Sequence, residues 1–425
     1  MALSPSGPFE ATKDTAMARL VINGKFLQPS ATRSGLYRVA RELLMALDAL
    51  FAANPALANA IPCRVVIPGG QPADLELSCI RVEVDEGDSN LGPLRRKVSN
   101  VLWEQLVLPR RAAGDTLISL CNIGPLSHHD AFTMVHDAQV FSSPDSYSRA
   151  FRTWYRFVLP RLGKRNRGLL TVSEFSRKQL DRFGVAPAAR TSVVHNGCDH
   201  VLRLVPSSTT VDAAGLAGQC YVVALANTQP HKNIAVLLKA FQSQALSDTT
   251  LALFGSAKRE DFERQGHTVP FNVKFLGFVS DEELSGLLQQ AIALAFPSIT
   301  EGFGLPPLEA MALGCPTVVA PCGALPEVCG DASLWAHPRQ PDEWVRHIVQ
   351  LRDDGVLRAE MKCRGLAQAA LFSWDRAARR LLEIATGRSL TNIGLMQPAR
   401  SDRQTVHSSL SLVECPSVTL PLLTT

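Results

Sequence analysis

The chain has 425 residues, 46% of them hydrophobic and 19% charged, which exceeds the length at which one hydrophobic core keeps growing and supplies apolar material for two. The net charge of +4 comes with no recognised nucleic-acid-binding module, and no apolar run reaches the ~20 residues that span a bilayer, so neither a nucleic-acid partner nor a transmembrane helix is expected. Ten scattered cysteines with no secretory segment ahead of them point to free thiols in a reducing, cytoplasmic compartment; Cys315, Cys322 and Cys329 are spaced too widely for a zinc site and read as small core or turn residues.

Residues 1–18 are small, polar and turn-forming, and are expected to be a disordered extension unless translation begins at Met17. Short apolar runs then alternate with helical segments, the pattern of an α/β fold with parallel sheets. RLVING (19–24) opens as a strand, and RSGLYRVARELLMALDAL (33–50) follows as a helix with Leu36, Val39, Ala40, Leu43, Leu44 and Leu47 on one side. Further strands are predicted over 63–69, 116–121, 132–137, 168–173 and 191–197. The run 132–137 ends in His136 and Asp137, and a strand-end histidine followed by an acid is, on its own, more often structural than catalytic.

Residues 1–205 hold 25 Lys and Arg against 18 Asp and Glu, a charge of +7 that leaves −3 for the remainder. The excess concentrates in 93–111 and 149–167, where Trp103, Trp154, Tyr155 and several leucines are interleaved with arginines. Two readings stay open. Such segments can lie on an anionic membrane surface with aromatic rings at headgroup level, or they are ordinary packed helices with snorkelling arginines.

A polar linker over 206–218 separates a first Rossmann-like unit, 19–205, from a second, 219–390. The second restarts with a strand at 220–226, a helix at 233–244, strands at 250–255 and 273–278, and a helix at 281–293 that Ser280 and Glu283 cap as a box. No G-x-G-x-x-G follows an early strand, which leaves a nicotinamide-binding dehydrogenase without support. AIALAFPS (291–298) is strand-like, Gly302, Gly304, Pro306 and Pro307 break it, and a helix starts near Pro306 and ends at Gly314. Glu301 then sits in the turn and Glu309 about one helical turn inside, so the two carboxylates can grip separate hydroxyl-bearing parts of one ligand. Unpaired N–H groups at such a turn suit phosphate or sugar oxygens. Taken alone, the same acids read equally as a solvated loop carboxylate and a helix-start acid facing the macrodipole. PTVVA (316–320), a second acidic pair at Glu327 and Asp331, a closing helix at 372–386 and a Ser/Thr/Pro-rich, flexible tail at 391–425 complete the chain.

The segment FPSITEGFGLPPLEAMALGCPTVVAPCGALPEVCGDAS resembles the donor-site signature of glycosyltransferase family 4, the glycosyl transferases group 1, and in particular bacterial mannosyltransferase-like members. Its E-x7-E spacing, GFG turn and PEV-x-GDA run fall in register, and the likeness extends over roughly 19–385. It implies a GT-B fold, two Rossmann-like domains facing across a cleft. It also implies retaining, metal-independent transfer of a hexosyl group, mannose favoured, from a nucleotide-sugar to a hydroxyl acceptor. A lipid-linked glycan in lipopolysaccharide or exopolysaccharide synthesis, met by an enzyme peripheral at the inner face of the membrane, would be such an acceptor. No cofactor is implied, and no Asp-x-Asp metal motif lies near the donor elements.

By the same resemblance, Lys232 in ANTQPHKNI takes the lysine position that meets the donor diphosphate, while Asn227 and His231 stand where relatives carry arginine. Gly277, Phe278 and Val279 fall on the nucleotide-base loop, Glu309 on the ribose acceptor, and Glu301 with Gly302, Phe303, Gly304 and Leu305 on the transferred sugar and its phosphates. Gly35 is the residue that lets backbone approach the donor phosphate, with Ser34-Gly35 standing where many relatives have a longer glycine signature. His136 falls near the reacting sugar, acting through its ring or its carbonyl, and Asp137 orients it or positions the acceptor. A front-face reaction is the expectation, with the departing phosphate taking the acceptor's proton. A sugar-nucleotide epimerase and a non-catalytic nucleotide-sugar-binding protein are the alternatives.

Overall fold

The computed structural model describes residues 19–28, 35–69, 75–85 and 100–390; the expected extension 1–18, Ser34, the start of the basic segment 93–111 and the tail 391–425 lie outside them. Two wholly parallel sheets organise the described residues. The first comprises β1 (Leu20–Asn23), β2 (Cys63–Pro68), β3 (Arg81–Asp85), β4 (Thr116–Ser119), β5 (Ala131–Met134), β6 (Gly168–Thr171) and β7 (Thr191–Val193), in the order β3-β2-β1-β4-β5-β6-β7. The second comprises β8 (Tyr221–Leu225), β9 (Thr250–Phe254), β10 (Val273–Gly277), β11 (Ala293–Phe296), β12 (Thr317–Val319) and β13 (Leu334–Trp335), in the order β10-β9-β8-β11-β12-β13. This is the α/β GT-B architecture of two Rossmann-like units.

Strands covered on both faces need unbroken apolar runs, and β1, β4, β5, β6 and β11 are buried along their whole length. The strand order reverses between β1 and β4 in one sheet and between β8 and β11 in the other. Loops leaving the carboxyl ends of those neighbours run to opposite faces and leave a crevice, where ligands bind in open α/β sheets.

The helices that bear on this crevice are α1 (Gly35–Ala53), α2 (Arg149–Arg165), α3 (Glu174–Arg182), α4 (Ile234–Ala240), α5 (Asp281–Gln290), α6 (Leu305–Ala312), α7 (Leu325–Cys329) and α8 (Trp374–Thr386). The α5 capping box is made as its sequence predicts, Ser280 Oγ accepting from Glu283 N at 3.1 Å and Glu283 Oε2 from Ser280 N at 2.8 Å. The helix stops at Gln290, short of the expected 293, because Ala293 already pairs in β11. α8 starts at an N-cap, Ser373 Oγ accepting from Arg376 N, and stops at Gly387 with φ 67°.

Trp374, Ala377, Ala378, Leu381, Leu382 and Ala385 of α8 share one buried cluster with Val39, Ala40, Leu43, Leu44 and Leu47 of α1. The chain therefore ends its second sheet and then returns to complete the core of the first. In the stretch read as a linker, Thr209–Ala213 forms a short helix, and Val211 and Leu216 are fully buried with Tyr221 and Leu287.

Candidate active site

After β8 the chain turns over Pro230–Lys232, and Asn233 adopts a left-handed φ of 55°. Its Nδ2 donates to Pro297 O at 3.1 Å and Pro338 O at 2.7 Å, which ties this loop to those leaving β11 and β13. Lys232 Nζ thereby lies 2.7 Å from Glu301 Oε1, with 18% and 12% of the two side chains exposed. The following turn depends on glycine for steric reasons. Gly304 has φ 103°, and a Cβ there would stand 2.4 Å from Leu325 Cδ2; one on Gly323 would stand 2.5 Å from Glu301 N. Leu305 then opens α6; Pro306 and Pro307 carry no N–H, so the Gly304 and Leu305 N–H groups are the ones at this helix start without intrahelical acceptors.

Glu309, one turn into α6, is 5% exposed. Its Oε1 accepts from Arg38 Nη1 at 3.2 Å and from His200 Nε2 at 3.0 Å. Arg38, in the first turn of α1, also pairs with Asp281 at the start of α5. Burial alone pushes the Glu309 carboxyl up, but the His200 hydrogen bond and the Arg38 charge outweigh it and hold the group below the usual carboxylate range. Gly277 (φ 71°), Phe278 (74% exposed) and part-buried Val279 immediately precede Asp281, so the loop expected at the nucleotide base adjoins the Arg38 pairing.

From the first sheet, β5 delivers His136 and Asp137 against the GFG turn. A Cβ on Gly302 would stand 2.6 Å from His136 O and 2.9 Å from Asp137 Cβ. The His136 carbonyl therefore meets the turn. Its ring points the other way, Nε2–H donating to Leu120 O at 2.8 Å, and burial pushes the imidazole down to about 4, leaving it uncharged at neutral pH. Ser173 Oγ donates to Gly302 O at 2.6 Å, and Ser176 Oγ lies 3.1 Å from Gly302 O and 3.0 Å from His136 O. The Asp137 carboxyl accepts from Gln139 N at 2.9 Å and is raised by burial and by the Glu301 charge, against the opposing Gln139 hydrogen bond and the Lys232 charge.

The remaining candidates are dispersed. His231 is buried with Nδ1 3.3 Å from Ser146 Oγ, and burial and the Lys232 charge lower its pKa, so it adds no second positive charge beside Lys232 at neutral pH. Asn227 Oδ1 accepts from Gln229 N at 2.8 Å, and the residue lines a surface cavity of about 500 Å³ with Ser256, Arg264 and Gln265. Gly35 begins α1, and a Cβ there would meet nothing within 4 Å. Among the described residues no group of three or more His, Cys, Asp and Glu is arranged to hold a metal ion, none of the nine cysteines forms a disulfide, and no helix is long and apolar enough to cross a membrane.

Arg38, His200, Ser173 and Ser176 escaped the sequence reading. Arg38 did leave a trace, since a guanidinium in the first turn of a helix opposes the macrodipole and serves the helix poorly. His200 follows NGCD with no periodic pattern to mark it.

The family described as Glycosyl transferases group 1 matches residues 214–367. The O-antigen chain mannosyltransferase B of Escherichia coli is 34% identical over 256 residues, 58% of this chain and 67% of that relative. The O-antigen chain mannosyltransferase RfbU of Salmonella typhimurium is 31% identical over 238 residues, 54% of this chain and 63% of the relative. The chain thus spans about two thirds of the length of these two curated relatives. Among solved structures, Anabaena Alr3699/HepE in complex with UDP and glucose superposes with a TM-score of 0.62 at 18% identity, covering 87% of this chain and 100% of that one. Carrying the GT-B architecture and this likeness across two thirds of a 34%-identical relative, the chain belongs to the glycosyl transferases group 1 family.

Proposed function

We propose that this glycosyltransferase moves a mannosyl group from a nucleotide-sugar to a hydroxyl of a lipid-linked glycan in surface polysaccharide assembly, with retention at the anomeric carbon and without a metal. The observation that carries the reading is the pairing of Lys232 with Glu301 beside the N-terminus of α6, at the strand-order reversal of the second sheet. The names of the two O-antigen mannosyltransferases support the sugar and the pathway class.

Glu309 accepts from the ribose hydroxyls. Lys232 exchanges Glu301 for the donor diphosphate, and with the N–H groups of the GFG turn it stabilises the phosphate as the glycosidic bond breaks. Glu301, released, faces the sugar hydroxyls. The His136 carbonyl, rather than its buried neutral ring, lies against developing positive charge at the anomeric carbon. The departing phosphate takes the acceptor's proton on the same face, which retains configuration. Lys232 and the helix N-terminus carry the charge that a cation carries in other transferases, which is the basis for metal independence.

The acceptor reaches the cleft from the first unit, whose α2 exposes Phe151, Trp154 and Phe157 (38%, 36% and 46%) among Arg149, Arg156 and Arg161. Aromatic rings amid arginines suit an anionic headgroup layer, so the acceptor is proposed to be membrane-borne and the enzyme peripheral.

The test is turnover of GDP-, UDP- and dTDP-sugars with and without a membrane lipid extract, in the wild type, Lys232→Ala and Glu309→Ala. Lipid-dependent nucleotide release is expected with one donor class, reduced about 10²–10³-fold by Lys232→Ala. NMR of the product should show the donor's anomeric configuration, and release should survive EDTA. Wild-type binding that persists in both variants, with no release in any extract, would sink the assignment.

A further inference from the structure

The ribose-binding carboxylate is held by groups anchored outside its own domain, and one of them is itself aimed by the closing helix. Trp374 opens α8, which packs into the core of the first unit, and its indole Nε1–H lies 3.1 Å from His200 Nδ1. An indole nitrogen can only donate. Nδ1 is therefore the accepting nitrogen, the ring proton is on Nε2, and that Nε2–H is what Glu309 Oε1 receives at 3.0 Å. The other tautomer would set two N–H groups against each other at one end of the ring and a lone pair against a carboxylate at the other. Trp374, His200 and Glu309 are 2%, 6% and 5% exposed, so water is a poor competitor for these bonds.

The contact is built rather than incidental. The backbone N–H of Trp374 donates to Asp199 Oδ1 at 2.8 Å, which fixes the helix start against the residue preceding His200. Gly197 makes the approach possible, since a Cβ there would stand 2.2 Å from Trp374 N. Arg38, on α1, donates to the same Glu309 oxygen.

We propose that Trp374 and His200 are positioning residues for donor recognition: the indole fixes the His200 tautomer, and His200 with Arg38 holds Oε1 of Glu309 so that the carboxylate is aimed at the ribose of the donor. This rests on the reading of Glu309 as the ribose acceptor. It makes seating of the C-terminal helix on the first domain a condition for reading the nucleoside.

The test measures the affinity of the full chain for GDP against 2′-deoxy-GDP and for UDP against 2′-deoxy-UDP, carrying forward the pair that binds the wild type. Melting temperatures are recorded alongside. A charge-assisted hydrogen bond from the ribose predicts wild-type discrimination of about tenfold or more. His200→Ala and Trp374→Phe should each cut it to about threefold or less. His200→Gln, whose amide replaces the Nε2–H donor without a tautomer to set, should restore it, and Trp374→Phe added to His200→Gln should change nothing further. A purely structural Trp374 would lower the melting point and leave the discrimination ratio alone. Wild-type discrimination in His200→Ala and Trp374→Phe, with its loss in Glu309→Ala, overturns the proposal while sparing the ribose reading; wild-type discrimination in Glu309→Ala overturns both.

Discussion

Burial sets the charge of His136 and of His231, and His136 shows it most directly. Its folded pKa of about 4 lies below the ordinary 6.5, so between those values the unfolded chain binds the extra proton and the folded chain does not. Stability contributed by the neutral ring is complete above pH 6.5 and is lost as pH falls toward 4, roughly 3 kcal/mol in all at 1.36 kcal/mol per unit. His136→Gln can still donate to Leu120 O but does not titrate. Urea unfolding should therefore show the wild type losing about 2 kcal/mol more than His136→Gln between pH 7 and pH 5; parallel pH profiles would refute it. Glu301 in its glycine-marked turn and Glu309 one turn into the helix behind it were site candidates from local pattern, whereas His136 and Lys232 were candidates through the resemblance to the family signature. The sequence was silent on which part of His136 faces the cleft, since ring orientation is set by the distant Leu120 carbonyl.

Elements were legible where one pattern sufficed. Unbroken apolar runs gave the central strands, and glycines marked the turn before α6. β3, written RVEVD, alternates with charge at the sheet edge, and β13 is two residues long, so neither carried a signal above the surrounding loop. The glycines also separate two kinds of requirement. At Gly302 the obstructing atoms, His136 O and the Asp137 Cβ, are on or next to backbone and have little room to give. Gly302→Ala should force the turn away from β5, lowering the melting temperature and cutting turnover more than tenfold. At Gly35 nothing lies within 4 Å of a new Cβ, and the residue is helical. Gly35→Ala should hold or raise stability by about 0.4–1 kcal/mol, and if donor phosphate passes close to that backbone the donor KM should rise several-fold. Thermal melts beside donor titrations check both, and an unchanged donor KM in Gly35→Ala would remove Gly35 from the donor site.

At the scale of the whole molecule, the two sheets were readable half by half, whereas the seam between them was not. Arg38 and Glu309 are 271 residues apart, and Trp374 and His200 are 174 apart, so no local spacing can announce either contact. Glu327 is the strongest case: it stood out in the sequence as an acid of the donor signature, yet here its carboxylate spans the seam. It accepts from Glu174 N at 2.9 Å and Phe175 N at 3.1 Å, capping α3 of the first unit, and from His195 Nε2 at 2.8 Å. A carboxylate at a helix N-terminus is favoured by both the orphan N–H groups and the macrodipole. Burial raises its pKa, but the three hydrogen bonds outweigh that and hold it below 4.5. A depressed folded pKa means the contribution is whole above the unfolded value and disappears as pH falls through the folded one. Glu327→Ala should therefore cost about 1–2 kcal/mol at pH 7, with a gap that closes as pH drops below 4.5, and Glu327→Gln, which keeps an accepting oxygen, should fall between. Denaturant unfolding across pH 3 to 7 decides it: equal stability of Glu327→Ala and wild type at pH 7 would mean that the seam is held by the Ser173, Ser176 and Arg38 contacts without this cap.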